Sequence, residues 1–119
     1  MLKKFWPLAL VLLLSLPLVR PLFLPGFFVS DDGEWMVIRL SDFHRSVAAG
    51  QMPVRWAARL NYGYGYPVFN FLYPLAFYVG EFFHLLGCSF VWSIKLVFLL
   101  SLVLSTLAMY FLADRKSVV

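Results

Sequence analysis

Three long apolar stretches, separated by one polar segment and a short connection, constrain the fold of this chain more than any other feature. They cover about residues 5–24, 67–86 and 90–113. Because a helix of about 20 apolar residues crosses the hydrocarbon core of a bilayer, we expect three transmembrane helices. Composition agrees, since 62% of the residues are hydrophobic and soluble domains are usually close to half apolar. The sequence therefore predicts an all-α membrane protein.

The first apolar stretch follows two lysines, as in a secretory signal peptide. A cleaved signal has a short apolar core and a small-residue cleavage site, whereas this run continues to Leu24 with no evident site. We therefore interpret residues 1–24 as an uncleaved, signal-anchor-like span. Arg20 lies near its far end, where a long side chain can reach the membrane interface.

Residues 67–113 contain the other two apolar stretches, joined by Gly87-Cys88-Ser89, and this predicts a transmembrane helical hairpin. We interpret Lys95 as a lysine that reaches the interface from near a helix end. Residues 114–119 form a polar tail, and we expect the sequence to break off there from a longer protein. Three helices alone would leave little interior to shape a site.

The polar segment 25–66 is predicted to form a loop that contains one interfacial amphipathic helix at about 34–49. Ser30 or Asp31 can cap the start of this helix, and Gly50 can end it. Apolar residues at helical spacing define one stripe: Met36, Leu40, Phe43 and Val47. A helix of this kind between apolar runs is expected to lie in the membrane interface.

The polar side of the same helix carries Asp42, which can pair with Arg39 or Arg45 at a spacing of three residues. The two histidines of the chain, His44 and His84, are far apart in sequence and belong to no zinc-like spacing. We therefore assign them no role.

Three acids, Asp31, Asp32 and Glu34, lie just beyond the first apolar stretch. Carboxylates there can act as a general base or hold a divalent cation. Helix capping with solvation is the structural alternative, because acids suit the first turn of a helix. On the residues alone, both interpretations stay open.

Two further elements follow the amphipathic helix. Arg55 and Arg59 can bind a phosphate while Trp56 anchors in the interface, or all three can serve as ordinary interfacial anchors. The tyrosines that alternate with glycines, including Tyr64 and Tyr66, offer faces for a sugar or a lipid, or they form a flexible turn. They do not form a nucleotide loop, since the required lysine and glycine spacing are missing.

The charges leave the orientation in the membrane undecided. Lys3 and Lys4 favour a cytoplasmic N-terminus, whereas the four arginines of the polar segment favour the opposite orientation. The basic residues are dispersed and the net charge is only +4, so we expect no nucleic-acid partner. A single cysteine excludes an internal disulfide, and the oligomeric state stays open.

Three motifs carry a resemblance to a known family. They are Asp32-Gly33-Glu34-Trp35-Met36-Val37-Ile38-Arg39, Gly50-Gln51-Met52-Pro53-Val54-Arg55-Trp56, and Gly63-Tyr64-Gly65-Tyr66-Pro67-Val68-Phe69-Asn70-Phe71-Leu72-Tyr73-Pro74. Over about residues 1–115 the chain resembles the N-terminus of bacterial multi-span membrane proteins labelled "6-pyruvoyl-tetrahydropterin synthase-related". These are similar in layout to the GT-C superfamily of polyprenyl-phosphate-dependent glycosyltransferases. The pterin label carries no chemistry here, because the chain has no zinc-binding histidine set.

The resemblance implies the N-terminal part of a GT-C-like multi-span fold in the bacterial inner membrane, with the first loop extracytoplasmic. It implies that Asp31 and Asp32 are catalytic, as a base or as ligands of a divalent cation, with Asp32 and more weakly Glu34 as the metal ligands. The sequence departs from relatives that carry His in place of Met36 and Pro in place of Val54.

The resemblance also implies the activity, which is sugar transfer from a polyprenyl-phosphate donor to an acceptor that the sequence does not identify. Arg39 would orient the acid or contact phosphate, Arg55 and Trp56 would dock the donor head group, and Tyr64 and Tyr66 would line its path. We expect the 119 residues alone to be inactive. The alternative is a non-catalytic membrane module that binds lipid or assembles a complex, and a transporter is a weaker third class.

Overall fold

The chain is all-helical in the part that the structure describes. The computed structural model describes the backbone of residues 2–116 and the side chains of residues 6, 7 and 9–113. The helices in this range are α1 (Leu2–Phe23), α2 (Gly33–Ala48), α3 (Val68–Phe71), α4 (Pro74–Leu85) and α5 (Phe90–Lys116). The chain divides into two compact units, Gly26–Val97 and Met1–Pro25 with Phe98–Val119. The predicted helical class is confirmed.

The prediction of three transmembrane helices is wrong for the described residues, because one helix has the required length and composition. That helix is α5, whose segment Phe90–Ala113 matches the predicted third span and is long and apolar enough to cross a membrane. The first predicted span falls on α1, where the described apolar stretch Ala9–Phe23 is shorter. Many apolar side chains of α1 and α5 are exposed to their surroundings.

The second predicted span is broken into two helices. Leu72 and Tyr73 adopt ψ values of 152° and 93° between α3 and α4, and Pro74 is the first residue of α4. Proline disfavours helical geometry in the residue before it and lacks an N–H for the helical ladder. The remaining 12 residues of α4 extend only about 18 Å, whereas the hydrocarbon core is about 30 Å thick.

The predicted amphipathic helix is confirmed as α2, within one residue at each end. Its end is a Schellman motif, in which Gly50 adopts a φ of +82°. The N–H of Gly50 donates to the carbonyl of Val47, and the N–H of Gln51 donates to the carbonyl of Ser46, both at 2.9 Å. The short connection after α4 is confirmed too, since Gly87 has a φ of +99° and α5 begins at Phe90.

The core of the Gly26–Val97 unit forms where α2 packs against α4. Gly80 of α4 permits the close approach, since a Cβ atom there would lie 3.1 Å from the two Cδ atoms of Leu40. Leu40 and Phe43 of the predicted stripe are fully buried in this core, and Met36 and Val47 are partly buried against it. The other buried members are Val54, Ala57, Val68, Phe69, Phe77 and Ile94.

Candidate functional site

The three acids lie on the surface where α2 begins. Asp31, Asp32 and Glu34 are all exposed, and Asp32 is the N-cap residue with a φ of −119°. Its side chain makes no capping hydrogen bond. The hydrogen bond at this helix start comes instead from Ser30, whose Oγ accepts from the N–H of Gly33 at 2.9 Å. The Asp32 carboxylate is therefore not used for capping.

A cleft of about 400 Å³ lies between the start of α2 and the tyrosine–glycine segment. Its volume falls within the range of about 300–1,000 Å³ that ligand pockets occupy. The lining side chains are Trp35, Leu60, Asn61 and Tyr66. None of the four carries a charge, and two are aromatic. Trp35 follows Glu34 directly, so the acidic helix start and the cleft share one turn of α2.

The tyrosine–glycine segment is a hydrogen-bonded turn. Ala57 and Tyr66 form an antiparallel bridge, with N–H to carbonyl distances of 3.0 and 3.1 Å. Asn61 and Tyr62 adopt φ values of 56° and 57° between them. The bridge and the turn geometry therefore fix the positions of Tyr66 in the cleft and of the residues of the turn.

Trp56 packs against the base of this turn. A Cβ atom at Gly65 would lie 2.6 Å from Nε1 of Trp56, so only glycine fits beneath the indole. Gln51 fixes the adjoining backbone, because its Oε1 accepts hydrogen bonds from the N–H groups of Arg55 at 2.9 Å and Trp56 at 3.1 Å.

The predicted binding residues do not all converge on the cleft. Tyr66 lines it. Arg55, Trp56 and Tyr64 are exposed outside the set of lining residues. Arg39 is half-buried on α2, and its Nε is buried without a hydrogen-bond partner.

Trp35, Leu60 and Asn61 were not predicted from the sequence. Trp35 lies off the apolar stripe of α2 and directly beside an acid. This position could have marked it as a candidate binding residue. Leu60 and Asn61 gave no comparable signal.

The assumption that the two histidines are unrelated is wrong. Their rings lie 4.6 Å apart and nearly perpendicular, and Nδ1 of His44 lies 2.8 Å from Oε1 of Glu81. Nδ1 of His84 lies 2.8 Å from the carbonyl oxygen of Cys88, which can only accept, so this nitrogen carries hydrogen. One sequence feature pointed to this cluster: Glu81 and His84 are three residues apart, and this spacing places both on one side of α4.

Two charged residues, Lys95 and Asp42, are buried. Lys95 is only 2% exposed, and its Nζ lies 4.8 Å from the ring centroid of Trp92, a cation–π contact. Asp42 is also buried, and its Oδ2 has no hydrogen-bond partner. Among the described side chains, no ion pair joins Asp42 to Arg39 or Arg45. The interfacial interpretation of Lys95 is therefore wrong, and the ion pairs that the spacing of Asp42 allows are not formed.

We expect the contact between His44 and Glu81 to stabilise the packing of α2 on α4. In a double-mutant cycle of His44→Ala and Glu81→Ala, the coupling free energy should be about 1–2 kcal/mol. The value stays moderate because the side chain of His44 is 33% exposed and solvent screens the pair. Chemical denaturation of the four proteins in detergent gives the coupling.

The matched control is a second cycle in which His84→Ala takes the place of His44→Ala. His84 contacts the ring of His44 but makes its hydrogen bond to Cys88, so its coupling to Glu81 should be smaller. Equal coupling energies in the two cycles would show that the hydrogen bond between His44 and Glu81 adds nothing specific.

The predicted metal ligands do not by themselves complete a cation site. Within the described residues, no three or more His, Cys, Asp or Glu side chains are placed to hold one ion. Asp32 and Glu34 offer two carboxylates, fewer protein ligands than calcium sites use. Their role as metal ligands stays a prediction.

In the part of the chain that the structure describes, all elements are helical, one helix has membrane-crossing length, and an uncharged cleft with two aromatic side chains lies near an acidic helix start. Comparisons with family models, curated proteins and solved structures found no match to this chain. The resemblance described above therefore rests on the three sequence motifs.

Proposed function

We propose that this chain supplies the first-loop region of a GT-C-like membrane glycosyltransferase that uses a polyprenyl-phosphate-linked sugar as donor. The protein would be a multi-pass protein of the bacterial inner membrane, with the cleft outside the cytoplasm. One observation carries the proposal: the acids at the start of α2 lie one to four residues before Trp35, which lines an uncharged cleft of ligand size. Aromatic faces suit the apolar faces of a sugar ring, and an adjacent carboxylate can accept a proton.

The proposed reaction needs only groups of the protein and its two substrates. The carboxylate of Asp32, or of Asp31, accepts the proton of the acceptor hydroxyl. The hydroxyl oxygen forms a bond to the anomeric carbon of the donor sugar as the bond from that carbon to the phosphate oxygen breaks. The electron pair of the broken bond leaves with polyprenyl phosphate.

The remaining predicted residues bind the donor in this proposal. Arg55 contacts the donor phosphate, since a guanidinium matches phosphate geometry, and Trp56 lies beside it against Gly65. Tyr66 lines the sugar cleft, and Tyr64 flanks its mouth along the same turn. Arg39, half-buried on α2, positions the acidic helix start.

Trp35→Ala should weaken donor binding about tenfold, equivalent to about 1.4 kcal/mol. The reason is that this substitution removes one aromatic wall of the cleft. Binding of a polyprenyl-phosphate sugar to the protein in nanodiscs, followed by native mass spectrometry, measures the effect. The matched control is Trp6→Ala on α1, because Trp6 is an exposed tryptophan in the other compact unit.

Equal donor affinity of the two tryptophan variants would show that the cleft does not bind the donor. Failure of the unmodified protein to bind the donor would favour the alternative, a non-catalytic module that binds membrane lipid or assembles a complex. The exposed arginines Arg55 and Arg59 support that alternative.

A further inference from the structure

Two tyrosines at the turn between Ala57 and Tyr66 expose nearly their whole side chains. Tyr62 is 99% exposed and Tyr64 is 83% exposed. In contrast, Tyr66 in the same segment packs against the core. Single exposed aromatics are common, but two beside one another on a short turn form an apolar feature that needs an explanation.

The backbone beneath Tyr62 is in a costly conformation. Its φ of 57° lies in the left-handed region, and so does the φ of 56° at Asn61. This region is uncommon for residues other than glycine, asparagine and aspartate, and strained backbone concentrates at functional positions. Since the ring of Tyr62 is almost fully exposed, packing within this unit does not offset the strain.

The segment of sequence that contains the turn carries charge of one sign. Residues 43–80 contain three arginines and no aspartate or glutamate, and all three are exposed: Arg45, Arg55 and Arg59. Arg59 lies three residues before Tyr62. Exposed arginines and exposed tyrosines in one segment suit an anionic partner in which a polar layer covers an apolar one.

We propose that residues 58–64, which we term the tyrosine tip, dock into the headgroup layer of a bilayer rich in anionic phospholipid. Tyr62 and Tyr64 insert their rings at the interface with their hydroxyls towards water, the position that tyrosine favours in membranes. Arg59 contacts lipid phosphates. The same chain contains α5, which is long and apolar enough to cross a membrane, so a bilayer is the partner that fits.

The inference does not rest on sugar transfer, because docking needs neither the acids nor a bound donor, although Leu60 and Asn61 of the tip also line the cleft. Each basic residue near an anionic surface contributes about 1 kcal/mol, which corresponds to about fivefold in the docking equilibrium. Removing the charge of Arg59 should therefore lower the docked-to-undocked ratio about fivefold. Arg45, in the last turn of α2, should matter less because it lies outside the tip.

The test places a nitroxide label at Ala58→Cys in a Cys88→Ser background, so that both tyrosines remain. The protein is reconstituted without donor in nanodiscs of phosphatidylcholine alone or mixed with phosphatidylglycerol. Collision of the label with oxygen and with a water-soluble nickel chelate, measured by electron paramagnetic resonance, reports its immersion. The control label is at Val29→Cys, a fully exposed position outside the tip.

We expect the label at residue 58 to become shielded from the nickel chelate when phosphatidylglycerol is present, while the label at residue 29 does not change. Arg59→Gln, or Tyr62→Ser combined with Tyr64→Ser, should abolish most of this response. Arg59→Lys should retain it because the charge is kept, and Arg45→Gln should retain it as well. Circular dichroism melting verifies that each variant folds.

Equal nickel accessibility of the label at residue 58 in both kinds of nanodisc would overturn the inference, as would a response that survives Arg59→Gln and the double tyrosine change. Failure of sugar transfer is a separate outcome, because Asp32→Asn should leave the immersion of the label unchanged.

Discussion

Asp32→Asn is expected to lower the rate of sugar transfer about 100- to 10,000-fold in membranes that carry the intact protein, the range typical of a general base. Asparagine has nearly the shape of aspartate but cannot accept the proton of the acceptor hydroxyl. Release of labelled polyprenyl phosphate from the donor measures the rate. Asp31→Asn, measured in parallel, tells which of the two neighbouring carboxylates accepts the proton.

The structure allows this catalytic effect to be separated from an effect on folding. The Asp32 side chain is exposed and makes no capping hydrogen bond, and asparagine is as good an N-cap residue as aspartate. The free energy of unfolding should therefore change by less than about 0.5 kcal/mol. Full activity in both Asp31→Asn and Asp32→Asn would exclude these acids from the mechanism.

Phe43→Ala should destabilise the Gly26–Val97 unit by about 3–5 kcal/mol, because it removes a large side chain from the centre of the core. The ring of Phe43 is fully buried. Its centroid lies 5.1 Å from that of Phe69, 5.8 Å from that of Phe77 and 4.9 Å from that of Tyr78. Chemical denaturation in detergent, followed by near-ultraviolet circular dichroism, measures the loss.

Phe71→Ala is the matched control for Phe43→Ala, since it makes the same chemical change at a side chain that is 84% exposed. Its effect on the free energy of unfolding should stay within about 0.5 kcal/mol. Similar losses in the two variants would mean that the unit is not stabilised by the packing of α2 on α4.

The helices with a strong local signal could be predicted from the sequence. The apolar stripe of α2 and the glycine after it define a helix without help from any distant residue, and its bounds were right within one residue. The third apolar stretch was likewise predicted as the helical segment that became Phe90–Ala113. In the second stretch, hydropathy was misleading because average apolarity does not register the break that Pro74 imposes.

The candidate site could be predicted only in part. The acids were proposed as site residues because they interrupt an apolar sequence. The structure shows them exposed at the start of α2, and their role stays a prediction. The cleft was not predicted, because Trp35 and Tyr66 come together only when the bridge between Ala57 and Tyr66 closes the turn. No local pattern encodes a contact across about 30 residues.

The sequence by itself determined the helical class, the position of α2 and the start of α5, since each depends on periodicity or composition within one segment. Tertiary structure alone decided which polar groups are buried and which meet. Lys95 became buried, and His44 of α2 met Glu81 of α4. The physical reason is that burial and pairing depend on the surfaces that other segments bring, which a residue's own neighbours in sequence do not specify.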